Sequence, residues 1–469
     1  MEQKVISMGS LANRTVGLLL CAITALVICR EWGVAEWTQP AKPFLVLVVV
    51  AILLFQVRWS RKAFVAVAML ISISLVATNT DWRGIITRGL ETAAFIGAFF
   101  TALSTLRTVA QTSPAIQRAG TFLAGQPPGR RYAALTVGGQ AFALLLNYGS
   151  LQLLGSLVTA NANSEPNVEI RRHRIRRMLL AIQRAFVSAL PWSPLSFAVA
   201  ITVSVIPDTS WSKALAPGLM TSFLLAGIGW SLDTIFKPRL TVKPVRSAPV
   251  GTWATMLPMA VLLAVLFIGV VTLSALTQVR VVGIVAVIVP CIAVVWMHIQ
   301  HWHENPVSTT CRRIKTYVLQ ELPSYRGELT LLMMAGFIGT AGSQLFAPMM
   351  QATGFDLSFM PSWIILISLV WIIPIAGQIG MNPILVVTLI APLIPTATDL
   401  GVQPIAIVVA ITSGWALSGA SSPFTATTLL IGSFGGISAT RVGLVWNGAY
   451  TLICGVVLSI WVITFAYLF

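Results

Sequence analysis

Apolar runs long enough to cross a bilayer follow one another along almost the whole chain, and only short polar gaps separate them. A crossing helix takes about 20 apolar residues. The 469 residues therefore hold ten or so crossings and leave no room for a large soluble domain. With 9% charged residues, the chain falls outside soluble enzymes, disordered polypeptides and disulfide scaffolds. The formal net charge is +16, but the Lys and Arg residues sit in the gaps. Membrane topology accounts for that placement, and nucleic acid is not expected as a partner.

Spans are expected at about 15–29, 43–57, 63–79, 85–106, 178–206, 214–236, 252–277, 281–299, 328–346, 403–432 and 443–468. The first is followed by Arg30-Glu31-Trp32 and no small-residue cleavage site, so it reads as a span and not a signal peptide. Segments 132–160 and 361–396 are broken mid-way by small and polar residues and read as re-entrant hairpins. The basic loop Arg58, Arg61, Lys62 sets the cytoplasmic side, which places the N-terminus inside and the C-terminus outside. The run Arg171-Arg172-His173-Arg174-Ile175-Arg176-Arg177 falls inside only if 132–160 returns to its starting side. Loops 237–246 and 312–326 fall inside as well.

The halves echo each other. Arg88-Gly89-Leu90-Glu91-Thr92 and Arg326-Gly327-Glu328-Leu329-Thr330 each open an apolar run. A hairpin with a central Asn follows each, Asn147 in one and Asn382 in the other. A span with a Ser-Pro break comes next, at Pro194 and at Pro423. The paired features lie 238, 235 and 229 residues apart. Opposite placement of Arg88 and Arg326 makes the repeats inverted, as in many secondary transporters. The expected organisation is an N-terminal helix at 1–41, repeat 1 at 42–240 and repeat 2 at 241–469. The fold class is thus an all-α polytopic membrane protein, about eleven transmembrane helices plus two re-entrant hairpins.

An unpaired backbone group in hydrocarbon costs several kcal/mol, and Pro removes a donor. Stretches around Pro191, Pro194 and Pro423 should therefore unwind. Half-helix N-termini favour anions, freed carbonyls favour cations, and hydroxyls serve either. The candidate substrate and ion ligands are Asn147, Ser150, Ser193, Ser196, Asn382, Ser418, Ser421, Ser422, Thr425 and Thr427. The plainer reading of such residues is close helix packing.

This order of elements resembles the ion transporter superfamily, in particular the divalent anion:sodium symporter (citrate transporter-like) architecture, of which the chain would be a divergent member. The resemblance covers nearly the whole chain as topology. Of that family's Ser-Asn-Thr hairpin tips only the Asn carries over, within Asn147-Tyr148-Gly149-Ser150 and Met381-Asn382-Pro383. The resemblance implies a homodimer with a scaffold and a mobile transport domain moving elevator-fashion.

Arg184, a charge inside the fifth span, is a candidate for substrate or proton handling, or it snorkels to the interface. Trp192, at the first break, either walls a pocket or packs. Glu91 and Glu328 are expected to pair with Arg88 and Arg326, and Asp233 to lie near Lys237. His298, His301, His303 and Glu304 fit no standard zinc spacing, and the five cysteines form no CxxC, so no metal or cofactor is expected beyond Na⁺ as a candidate coupling ion. The basic stretch between Glu165 and Arg184 is expected to lie on the cytoplasmic surface before turning into the bilayer. The functional expectation is secondary active transport of a small anion, an organic acid foremost, coupled to Na⁺ or H⁺, in a bacterial inner membrane. The alternatives are an inorganic oxyanion efflux permease, a Na⁺/H⁺ antiporter and, remotely, a polytopic membrane enzyme.

Overall fold

The structure is a computed structural model that describes residues 2–34, 40–127, 129–238, 240–241, 251–302, 305–352 and 360–468. Among these residues the chain is helical and contains no strand. The first half of the chain holds α1 (Glu2–Glu31), α2 (Ala41–Leu54), α3 (Trp59–Thr78), α4 (Trp82–Thr112), α5 (Pro114–Ala124), α6 (Arg131–Leu146), α7 (Tyr148–Asn163), α8 (Val168–Ala189), α9 (Phe197–Val205) and α10 (Trp211–Ile235). The second holds α11 (Leu257–Leu276), α12 (Val281–Gln300), α13 (Pro306–Thr316), the single turn α14 (Leu322–Ser324), α15 (Arg326–Ala352), α16 (Ser362–Gln378), α17 (Pro383–Ile390), α18 (Pro404–Ser421), α19 (Ala426–Gly435) and α20 (Gly448–Leu468). Among the described residues, nine stretches are long and apolar enough to cross a membrane. The protein is an integral membrane protein.

Two of the expected spans are not single long helices. The one at 43–57 is α2, only 14 residues long. The one at 178–206 is the pair α8 and α9, with Leu190–Ser196 unwound between them. The basic segment before it is no separate surface helix. Asn167 caps α8, its Oδ1 accepting from the Ile170 N–H at 3.1 Å, and the helix runs unbroken from Val168 to Ala189. Helices α5 and α13 lie outside the expected spans.

The chain folds into two compact units, and each draws on both halves of the chain. The first comprises Met1–Val109, Gly269–Asp356 and Ile384–Ile394. In it α4 lies against α15, with Gly89 facing Phe337 and Gly97 facing Met333. The Tyr317 hydroxyl donates to the Thr101 carbonyl at 2.7 Å. Ion pairs here depart from expectation. Glu91 pairs with Arg30 at 2.9 Å, Arg88 with Asp81 at 3.2 Å, and Glu31 with Arg280 at 3.4 Å. Arg30 reaches Glu91 across the fold, whereas Arg88 is held by the nearer Asp81 at the start of α4.

The second unit comprises Ala110–Ile268, Leu357–Pro383 and Pro395–Phe469. Its centre is α8, buried from Met178 to Ala189, and α18, buried from Ile405 to Ser421. A helix apolar on all sides is stable only when other helices enclose it. The enclosure follows a paired pattern. As α6 packs on α8, α16 packs on α18; as α10 packs on α8, α20 packs on α18. The short arm α9 packs on α18, and α19 packs on α8.

The segment 132–160 is a helix–turn–helix, α6 and α7 joined at Asn147, with both arms packed on α8. In the segment 361–396, residues Ile379–Asn382 separate α16 from α17, and Gly380 there has φ +89°. Helix α16 belongs to the second unit and residues 384–394 to the first.

Candidate functional site

All twelve candidate residues, from Asn147 to Thr427, fall in the second unit. The two breaks lie side by side there. A methyl group built on Gly419, three residues before Ser422, would stand 3.0 Å from Val187 Cγ1 and 3.6 Å from Leu190 Cδ1, where the first break begins.

In the first break Ser196 ties the ends together. Its Oγ donates to the Leu190 carbonyl at 2.7 Å and accepts from the Val199 N–H at 3.2 Å, capping α9. Ser193 Oγ accepts from the Leu195 N–H at 3.1 Å, and its own proton has no protein acceptor among the described residues. The Trp192 ring stacks on Phe267 with centroids 5.5 Å apart. Its indole N–H is buried and has no acceptor among the described residues.

The second break follows from one missing donor. The Gly419 carbonyl would bond the N–H four residues on, but that residue is Pro423. Gln183 Nε2 of α8 donates to the Gly419 carbonyl at 3.4 Å and to the Ala420 carbonyl at 3.3 Å. Thr427 Oγ1 donates to the Gly419 carbonyl as well. Ser422 Oγ donates to the Gly377 carbonyl at 2.6 Å, Ser421 Oγ to Leu417 at 2.8 Å and Thr425 Oγ1 to Ser422 at 2.9 Å. These four hydroxyls have therefore committed their protons to carbonyls and keep only lone pairs to offer. Ser418 differs, since its hydroxyl is fully buried and has no partner among the described residues. So does the start of α19. No side chain caps it, and the N–H groups of Ala426, Thr427 and Thr428 meet no acceptor among the described residues.

The hairpin tips flank these breaks. Asn147 has φ 49° and ψ −131°, a backbone state in which Asn or Gly is favoured. Its carbonyl accepts from Ser150 Oγ at 2.6 Å, which gives Ser150 a turn-closing role. The Asn147 amide is half-buried and bonds to no described group. Tyr148, beside it, stacks on Phe186 of α8 at 5.0 Å. Asn382 is half-buried at the second tip. Next to that tip Gln378 Nε2 donates to Ser421 Oγ at 3.4 Å.

Arg184 is 5% exposed and faces protein on every documented side. It donates to Asn447 Oδ1 at 3.2 Å, to the Tyr132 hydroxyl at 3.1 Å and to the Gly229 carbonyl at 3.3 Å. Its guanidinium lies 4.4 Å from the Tyr450 ring centroid. Asn447 in turn donates to Gln183 Oε1 at 2.9 Å. A chain of bonds thus runs from Arg184 through Asn447 and Gln183 to the carbonyls that Pro423 frees. Arg184 is buried and bound into that chain of bonds. Sequence reading passed over Gln183 and Asn447, although Gln183 is a polar residue in an apolar span and was open to notice. Asp233 belongs to Arg177, which grips it through Nε at 2.7 Å and Nη2 at 2.5 Å, instead of lying with Lys237. That bond raises the Arg177 pKa above its ordinary value. His303, Glu304, Arg239, Lys243 and Arg246 lie outside the described residues. Among those described, no metal-holding cluster of His, Cys, Asp or Glu occurs.

No family model matches the chain, and no curated protein matches it. Solved structures do resemble it. One is the YdaH transporter of Alcanivorax borkumensis, described as having an unusual topology. It is 15% identical with a TM-score of 0.51, over 86% of this chain and 98% of that one. Another is MtrF of Neisseria gonorrhoeae, described as illuminating a class of antimetabolite efflux pumps. It is 14% identical with a TM-score of 0.57, over 88% of this chain and 96% of that one. At such identities the likeness is one of fold alone. Neither is described as a divalent anion:sodium symporter.

Proposed function

We propose that the protein is a secondary active transporter of a small anion, an organic acid foremost, driven by Na⁺ or H⁺. The observation that carries this reading is the pairing of two adjacent helix breaks whose polar groups divide by sign. Uncommitted donors gather there: the first-turn N–H groups of α19, the Ser418 hydroxyl, the Trp192 indole N–H and the Ser193 hydroxyl. Donors without acceptors suit a carboxylate or another oxyanion. The lone pairs of Ser421, Ser422, Thr425 and Thr427 suit a cation such as Na⁺. The half-buried amide of Asn147 serves either, and Asn382 completes the second tip.

Unit 2 holds every candidate ligand, which supports its role as the mobile body in an elevator-type cycle, with unit 1 as the scaffold of a homodimer. The N-terminus is cytoplasmic and the C-terminus periplasmic in this reading, which rests on the basic gaps. Export is the second reading, supported by the fold likeness to MtrF, described among antimetabolite efflux pumps.

The test is a thermal-shift screen of purified protein against organic acids and inorganic oxyanions, with and without Na⁺, followed by flux in proteoliposomes. One anion class should raise Tm, and Asn147→Ala and Asn382→Ala should each cut its flux by about tenfold or more, the scale of one lost charge-assisted hydrogen bond. Unchanged flux in both variants, with no anion shifting Tm, would remove the proposal.

A further inference from the structure

A cavity of about 630 Å³ lies in the second unit, and none of the twelve candidate residues lines it. It opens between the first turns of α8 and the π-helical turn Arg441–Trp446 that precedes α20. Arg171, Arg172, Arg176 and Arg441 line it, together with His173, and no carboxylate does. The acids of this region are engaged elsewhere. Glu165 sits 3.8 Å from Arg174, Asp233 is gripped by Arg177, and Glu169 accepts from Thr241 at 2.5 Å. Burial first, then the neighbouring Arg184 and Arg172, lowers the Arg176 pKa below its ordinary value. Four guanidiniums brought together without countercharge repel one another, and a bound anion removes that penalty.

The rest of the lining says which kind of anion. Trp446, Val445, Ile437 and Val168 form an apolar wall beside the arginines. Val445 is 65% exposed and Val168 66% exposed. A free phosphate would leave that wall in water, whereas an amphiphile covers it. We propose that this cavity binds the phosphate-bearing headgroup of an anionic phospholipid, with the guanidiniums on the phosphate oxygens and the apolar wall against the glycerol and first acyl carbons. Planar guanidinium forks match phosphate oxygens, and basic pockets among membrane helices are suited to lipid headgroups. The two walls of the cavity are the helix that carries Gln183 and Arg184 and the turn that ends at Asn447. A lipid here clamps both ends of the network that shapes the second break.

The test compares the full chain, an Arg172→Gln/Arg441→Gln variant, and an Arg312→Gln/Lys315→Gln variant that loses equal charge on α13, outside the cavity. Each is purified in non-ionic detergent. Lipid retention is read by native mass spectrometry and stability by thermal shift, with phosphatidylglycerol, phosphatidylcholine or inorganic phosphate added. Phosphatidylglycerol should bind and raise Tm in the wild type and in the α13 variant, and bind about tenfold more weakly in the cavity variant, the effect of about 1.4 kcal/mol. Equal binding of phosphatidylglycerol by the cavity variant overturns the proposal, as does equal binding of phosphatidylcholine by the wild type. Inorganic phosphate that saturates the shift and displaces the lipid would give the site to a soluble anion and end the lipid assignment.

Discussion

Gln183 shows how one side chain can decide the form of a helix break that lies 236 residues away. Its amide answers two carbonyls that the α18 backbone cannot satisfy, and its own oxygen is held by Asn447. Gln183→Leu leaves those carbonyls short of donors in a dry setting, a loss of about 1–3 kcal/mol. The expected outcome is a lower Tm in detergent with helix content intact by circular dichroism; an unchanged Tm would mean that Thr427 alone suffices. Gly443 makes a second demand. A methyl there would run into the Ser421 carbonyl, which is backbone and cannot swing aside. Gly443→Ala should therefore displace the second break and reduce both Tm and flux, while Gly436→Ala, in open space but at φ +62°, should lower Tm only through backbone strain. Such roles escape sequence reading for a plain reason. Arg184 stands out as a charge in a span, but its partner Asn447 is 263 residues away, and no spacing rule links them. Ser196 and Ser150 were legible as polar residues at breaks, and only the fold shows that they close the backbone.

At the scale of elements, Pro alone does not unwind a helix here. Pro217, Pro290, Pro348 and Pro374 all sit inside continuous helices. The breaks form where Pro coincides with hydroxyls that can take over the orphaned backbone groups, as Ser196 does for α9 and Ser422 for the Phe424 N–H. That combination is readable in sequence as Ser-Pro within an apolar run. The length of α2, the unbroken start of α8 and the π-helical turns were not readable, because hydropathy reports apolar length and not hydrogen-bond register. Two expectations follow. Pro423→Ala returns an N–H opposite the Gly419 carbonyl and should let α18 and α19 join, so that Tm holds or rises while flux falls by about tenfold or more; intact flux would show that the unwound segment is not the substrate site. Ser196→Ala should cost about 1 kcal/mol through the lost cap and appear as a modest drop in Tm.

At the scale of the whole molecule, the division into units cuts across the repeats that the sequence displays. Residues 42–240 and 241–469 are the halves that the sequence leads one to expect as repeats, and each compact unit takes pieces of both. Sequence periodicity records how the chain is duplicated, whereas packing records which faces are apolar enough to bury together, and the two need not share boundaries. The consequence for mechanism is testable with thiols. Cys291 and Cys311 are exposed and Cys21 and Cys29 half-buried, so these four are replaced; Cys454, fully buried, can stay. A single cysteine is then placed at Asn147 or at Ser193 and labelled with a membrane-impermeant maleimide from either face of oriented proteoliposomes. If unit 2 carries the site from one side of the bilayer to the other, both cysteines should react from both faces, and a saturating transported anion should slow the reaction from at least one. A cysteine at Val76 on α3 of the first unit, 52% exposed, is the reference whose reactivity should not depend on that anion. Labelling of Asn147→Cys and Ser193→Cys from one face only, unchanged by any anion, would mean that the breaks never change sides, and the elevator cycle would have to be abandoned even if anion flux were intact.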